Sequence, residues 1–164
     1  MDVFEFAMKM EDDGRQYYLS HAEKTSNPSL KNILLELADD ELRHYNIFKS
    51  MKNNEEAKYD DSQKTTIIGT VKTVFEQLKE KDSDYKFGGD FIDVWKKAVT
   101  IEKDAEKFYR KKAGELKDAN QKNILNKIAD EEHNHWVTLE NVVHFLERPQ
   151  TWLEDAEWNN LETY

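Results

Sequence analysis

The apolar residues of this chain recur at helical spacing over four long stretches. Around "LADDELRHYNIF" (37–48) the stripe runs through Leu34, Leu37, Ala38, Tyr45 and Phe48, which share one face of a helix. Glu41 and His44 fall on that same face. Phe4, Ala7, Gly14 and Tyr18 frame Glu11 in the same way, and Trp95, Ala98, Ala105 and Tyr109 frame Glu102. Leu125, Ile128, Ala129, Trp136 and Leu139 frame Glu132 and His135. In "TSNPSL" Asn27 serves as an N-cap with Pro28 at the first helical position, and Asp118 can cap the last stretch. "DYKFGGD" (84–90) breaks the chain, with Asp90 as the next cap. The pattern predicts helices over roughly 2–25, 28–52, 90–115 and 118–147. Between the pairs, "NNEEAKYDDSQ" (53–63) reads as polar linker, while Ile67, Ile68, Val71, Val74, Phe75 and Leu78 predict a short crossover helix.

The chain repeats itself. A shift of 91 residues lays "ADDELRH" (38–44) on "ADEEHNH" (129–135) and "MEDDGRQYY" (10–18) on "IEKDAEKFY" (101–109), with no slip in register. "KNIL" occurs verbatim at 31–34 and 122–125. Each half thus carries a lone Glu and, 30 residues on, a Glu-x-x-His. The expected fold is all-α: a four-helix bundle of two repeated helical hairpins, 1–52 and 90–147, joined by a long crossover (53–89) with its short helix. Residues 148–164 form a tail whose Trp152 and Trp158 are expected to dock on the bundle or on a second subunit.

Composition narrows the class. A chain of 164 residues is one domain's worth, and only 5 Gly and 2 Pro interrupt it. The formal charge of −10 argues against a nucleic-acid surface. No apolar run is long enough to span a membrane and the start "MDVFEFAMKM" is acidic, so the expected location is the cytoplasm. The absence of cysteine removes disulfides and thiolate metal sites from this chain. Any one-electron chemistry therefore needs an outside donor.

Four helices each aim a carboxylate, Glu11, Glu41, Glu102 or Glu132, at the core. Buried and unpaired, such charges lose several kcal/mol of hydration each and repel one another, so positive charge is required among them. Two divalent cations balance four carboxylates, and His44 and His135 complete the shells as neutral imidazoles. A Glu-x-x-His presents both ligands from one helix face, and mixed carboxylate and imidazole ligation suits iron or manganese better than soft metals. Asp130 and His133 share the same spacing, but the repeat sets His135 opposite His44 and His133 opposite Leu42. His21 and His144 have no matching acid in the repeat. Tyr18 and Tyr109, two turns beyond Glu11 and Glu102, can donate to the ligand carboxylates. Gly14 and Ala105 are small residues one turn beyond the same acids; they leave room for a small oxidant or let helices pack closely.

The segments "MEDDGRQYY", "LADDELRHYNIF", "IEKDAEKFY" and "IADEEHNHW" resemble, in order and spacing, the rubrerythrin branch of the ferritin-like superfamily, and the tail resembles that of members lacking a rubredoxin domain. The resemblance implies that Glu11, Glu41, His44, Glu102, Glu132 and His135 are ligands of two iron ions, with manganese or zinc as substitutes in a purified sample. It implies a di-iron peroxidase that reduces hydrogen peroxide or oxygen with electrons from a donor such as a rubredoxin. An iron-handling protein of ferroxidase type and a metal-stabilised bundle without turnover are the alternatives. A homodimer is expected. One departure stands out: the family places an extra Glu where this chain has Ala105, which puts the centre's peroxidase behaviour in question.

Overall fold

The computed structural model describes residues 1–81, 83–155 and 158. Four long helices dominate: α1 (Val3–Glu23), α2 (Pro28–Lys52), α4 (Gly89–Glu115) and α5 (Ala119–Glu147). The crossover carries a single 3-10 turn at Asp61–Gln63 and then α3 (Ile67–Glu80), and α6 (Pro149–Asp155) follows α5 directly. No strand occurs among the described residues.

Local chemistry sets the ends. Asp2 accepts from the amides of Phe4 and Glu5, Asn27 from those of Ser29 and Leu30, and Asp118 from that of Gln121, so three of the long helices start on a side-chain cap. α4 departs from the sequence expectation. Its N-cap is Gly88, without a side-chain bond, and Asp90 sits inside the first turn, where its charge favours the positive end of the helix dipole. At the end of α2 the chain turns through Asn54, the one non-glycine residue with positive φ (57°) among those described, a conformation asparagine tolerates well.

α1 packs along α2 and α4 along α5, and the two hairpins then face each other. α3 lies on α2 and α5, and α6 on α5. The interior is two apolar clusters rather than one. The first gathers Tyr18, Leu34, Leu37, Phe75, Trp95 and Phe145, and the second gathers Ala7, Phe48, Tyr109, Leu125 and Ile128. In all four long helices the inward Glu lies between residues of the two clusters, as Glu11 does between Ala7 and Tyr18. A polar layer therefore crosses the bundle at one level.

The end of the chain adds to the first cluster. Trp152 and Trp158 are buried, and both meet the ring of Phe75 edge-on, at centroid distances of 6.0 and 5.9 Å. The part of the tail at 156–157 and 159–164 lies outside the described residues.

Candidate metal centre

The polar layer brings the six sequence-selected side chains together. One oxygen or nitrogen from each of Glu11, Glu41, His44 and Glu132 lies within 4.8 Å of the others, and the same holds for Glu41, Glu102, Glu132 and His135. Glu41 and Glu132 belong to both groups, so the geometry is two adjoining sites that share a pair of carboxylates. His44 Nδ1 lies 2.9 Å from Glu132 Oε1 and 3.5 Å from Glu11 Oε2. His135 Nδ1 lies 3.3 Å from Glu102 Oε2 and 3.7 Å from Glu41 Oε1. The two imidazoles stack with centroids 6.2 Å apart.

Each of the six residues is at most 3% exposed and carries at least one buried atom without a hydrogen-bond partner. These include Oε2 of Glu11 and Glu102, Oε1 of Glu41 and Glu132, and Nδ1 of both histidines. Orphaned buried atoms of this kind are costly, and here they converge. Four carboxylates and two imidazoles with inward lone pairs fit a pair of hard to borderline divalent cations.

The second oxygens of Glu11 and Glu102 are held. Tyr18 donates to Glu102 Oε1 at 2.5 Å and Tyr109 to Glu11 Oε1 at 2.6 Å, each phenol reaching across from the opposite hairpin. One oxygen of each carboxylate is thereby fixed and Oε2 is left inward. Burial first, then the nearby carboxylates, raises both phenols well above their usual range, so they stay donors.

The histidines are oriented by residues the sequence reading did not select. His135 Nε2 meets Asp40 Oδ2 at 2.9 Å, and His44 Nε2 lies 3.2 Å from Glu131 Oε1. Asp40 and Glu131 are repeat partners, each one residue before a Glu of the centre, and each serves the histidine of the other hairpin. The Asp40 bond fixes the tautomer of His135 and leaves its Nδ1 for a metal, while at His44 the Glu131 carboxylate faces Nε2 at ion-pair distance without a hydrogen bond. The signal was present in "ADDE" and "ADEE", where both halves carry the extra acid.

A further layer gathers on these two acids. Arg43 binds Glu131 through both terminal nitrogens and reaches Asp40 Oδ1 at 3.1 Å. Tyr59 donates its hydroxyl to Glu131, and the Thr65 amide donates to Glu131 Oε1 at 3.0 Å. The Thr65 hydroxyl donates to Asp40 Oδ2 at 2.5 Å. Arg43 is opposite Asn134 in the repeat, and Tyr59 and Thr65 come from the crossover, so this layer has no counterpart in the second half.

Charge in the layer follows from burial and neighbours. Burial, then the charges of Glu102 and Glu11, raises Glu41 and Glu132 well above the usual carboxylate range. Burial works the same way on Glu102, but His135, together with hydrogen bonds that include the Tyr18 phenol, outweighs it and brings the carboxyl down to about 2. For His44 and His135 burial lowers the pKa; Glu11 and Glu131 around the first, and Glu102 and Asp40 around the second, overcome it and raise both. Burial also opposes ionisation of Glu131, yet His44 and Arg43 hold it far below its usual value.

Gly14 is a close-approach position. A Cβ built there would stand 2.9 Å from Glu41 Oε2, so the carboxylate occupies the space a side chain would take. Ala105 is buried in the second apolar cluster. His133 turns outward to Glu106 Oε1 at 3.0 Å, His21 lies against the Tyr17 ring at 4.4 Å, and His144 lies near Trp152. Among the described residues no helix is long and apolar enough to cross a membrane.

No curated protein and no solved structure matches the chain. The family model described as Rubrerythrin matches residues 2–143, which include all four long helices apart from the last turn of α5 and every residue of the polar layer. The match and the buried Glu and His clusters agree, and the chain belongs to the rubrerythrin family, with the fold of a ferritin-like helical bundle and a centre suited to metal.

Proposed function

We propose that the chain is a di-iron oxidoreductase that reduces hydrogen peroxide or oxygen with electrons from an external donor such as a rubredoxin. The observation that carries the reading is the pair of ligand clusters sharing Glu41 and Glu132, since two adjoining sites would hold the two one-electron metals that a two-electron reduction requires. Glu11 and His44 would complete one position, and Glu102 and His135 the other. When bound, two ferrous ions supply the two electrons that, with two protons, take hydrogen peroxide to two waters.

The protein's share is positioning and insulation. Tyr18 and Tyr109 hold one oxygen of Glu102 and of Glu11, Asp40 holds the far nitrogen of His135, and Glu131 faces that of His44, so inward atoms are set in advance. Apolar clusters above and below keep bulk water from the layer. These residues include no cysteine to build an iron–sulfur relay, so the electrons come from a donor outside them.

The test is anaerobic loading with ferrous iron, then one stoichiometric addition of hydrogen peroxide or, separately, of oxygenated buffer, followed by near-ultraviolet absorption of the oxidised pair. Two irons per chain, oxidised faster by peroxide than by oxygen and re-reduced by a rubredoxin, is the expected result. Faster oxidation by oxygen with uptake continuing beyond two irons would place the protein in iron handling instead.

A further inference from the structure

The layer outside the ligands holds more charge than the ligands alone suggest. Asp40 is 8% and Glu131 3% exposed, so the layer holds six buried carboxylates, four in the ligand clusters and two beside them. A guanidinium, that of Arg43, is bound to both of the outer acids. Six carboxylates against one guanidinium leave a formal −5, which two ferrous ions bring to −1 and two ferric ions to +1, exogenous ligands apart. Without Arg43 the same counts are −2 and 0. A guanidinium keeps its charge at any working pH, so this contribution is constant.

Arg43 also acts through hydrogen bonding. Glu131 receives two bonds from its fork, one from Tyr59 and one from the Thr65 amide. Each donor spreads the carboxylate's charge and weakens the negative field it exerts at His44 Nε2, 3.2 Å away. Taking donors away would concentrate negative charge on Glu131 beside His44 and so favour the ferric state. Charge and hydrogen bonding act in the same direction. Both favour the reduced pair while Arg43 and Tyr59 are in place.

We propose that Arg43, seated on Asp40 and Glu131 and assisted by Tyr59, is a positioning residue that holds up the redox potential of the metal pair. The inference rests on the di-iron reading above. It also gives the crossover a role: Tyr59 closes the layer from a segment that only one side of the twofold repeat possesses.

The experiment is an anaerobic redox titration, with mediators, of the full chain loaded with ferrous iron, in wild type and in Arg43→Gln, Arg43→Lys and Tyr59→Phe. Arg43→Gln is expected to titrate at lower potential than wild type, Tyr59→Phe to shift the same way by less, and Arg43→Lys, which keeps the charge but loses the fork, to fall between wild type and Arg43→Gln. Tyr59 is only half-buried and Phe preserves its ring, so this variant decides the matter if Arg43→Gln fails to fold. Variants that bind two irons and titrate at the wild-type potential overturn the inference and leave the di-iron reading standing. A wild-type chain that takes up no redox-active metal overturns both.

Discussion

At the residue scale the repeat exposes the six inward ligands, while Asp40 and Glu131, which it also pairs, sit next to them in acidic runs that read as solvated surface. Glu11 with Glu102, Glu41 with Glu132 and His44 with His135 are repeat partners on apolar stripes, and the structure gathers all six. Arg43, Tyr59 and Thr65 carry no such signal, because each faces the centre from a position without a counterpart, and polar residues on a linker look alike in sequence. Gly14 shows the limit of reading small residues: sequence allows both a channel and a close approach, and the structure shows the carboxylate of Glu41 against its Cα. Gly14→Ala should therefore separate stability from binding. A helix-interior Gly to Ala change favours the helix by up to about 1 kcal/mol, and Glu41 can retreat because the atom met is the end of a flexible side chain. The displaced Glu41 belongs to both clusters, so ferrous uptake should weaken by roughly tenfold or more. Thermal unfolding in chelator beside anaerobic iron titration checks both parts; undiminished iron affinity would show that Glu41 does not need that space.

At the element scale the four long helices follow from period and caps, while α6 does not. Seven residues hold too few turns for a period to show, and Pro149 reads equally well as the start of a loose tail or as the first residue of a helix. Tertiary burial decides it. Trp152 is 2% exposed and packs against Phe75, with the Arg148 guanidinium over its ring at 5.5 Å. Removing a buried tryptophan costs about 3–5 kcal/mol, which in a chain of this size is a fall in melting temperature on the order of 10 °C. Trp152→Ala is expected to show that fall in a thermal scan and still bind two metals per chain, because its contacts lie in the first apolar cluster and not in the polar layer. A folded Trp152→Ala that no longer takes up metal would mean the tail supports the centre directly. α3 has a different use. Its strong apolar face covers α2 and α5, and its entry through Thr65 and Thr66 carries the crossover's hydrogen bonds to Asp40, Glu131 and Glu36. The repeat makes two matching hairpins, and the crossover makes their centre unsymmetrical.

At the scale of the whole molecule the bundle surrounds a charged layer with two apolar clusters, and that arrangement ties metal to protons. In the field of the protein's own groups Glu41 and Glu132 are raised well above ordinary carboxylates by burial and by the other acids, and His44 and His135 are raised by the acids around them against the pull of burial. All four shifts favour the protonated forms, and any proton held there must leave when a cation binds, because carboxylates and imidazoles bind metal only when deprotonated. Glu102, down at about 2, is ionised at neutral pH and has no proton to give up. The sign follows: metal competes with protons, so affinity rises with pH and falls as the solution is acidified. Loading a weakly buffered anaerobic sample with ferrous iron should acidify it, and the dissociation constant measured at pH 6 should exceed that at pH 8. The same linkage sets stability. Metal at a free concentration about a thousand times its dissociation constant stabilises a fold by about 4 kcal/mol, so the gap between loaded and chelated melting temperatures should narrow toward acid pH as the constant rises. Calorimetric titration in two buffers of different ionisation enthalpy counts the protons, and a value near zero together with a flat pH dependence would mean that the four groups are already deprotonated before the metal arrives.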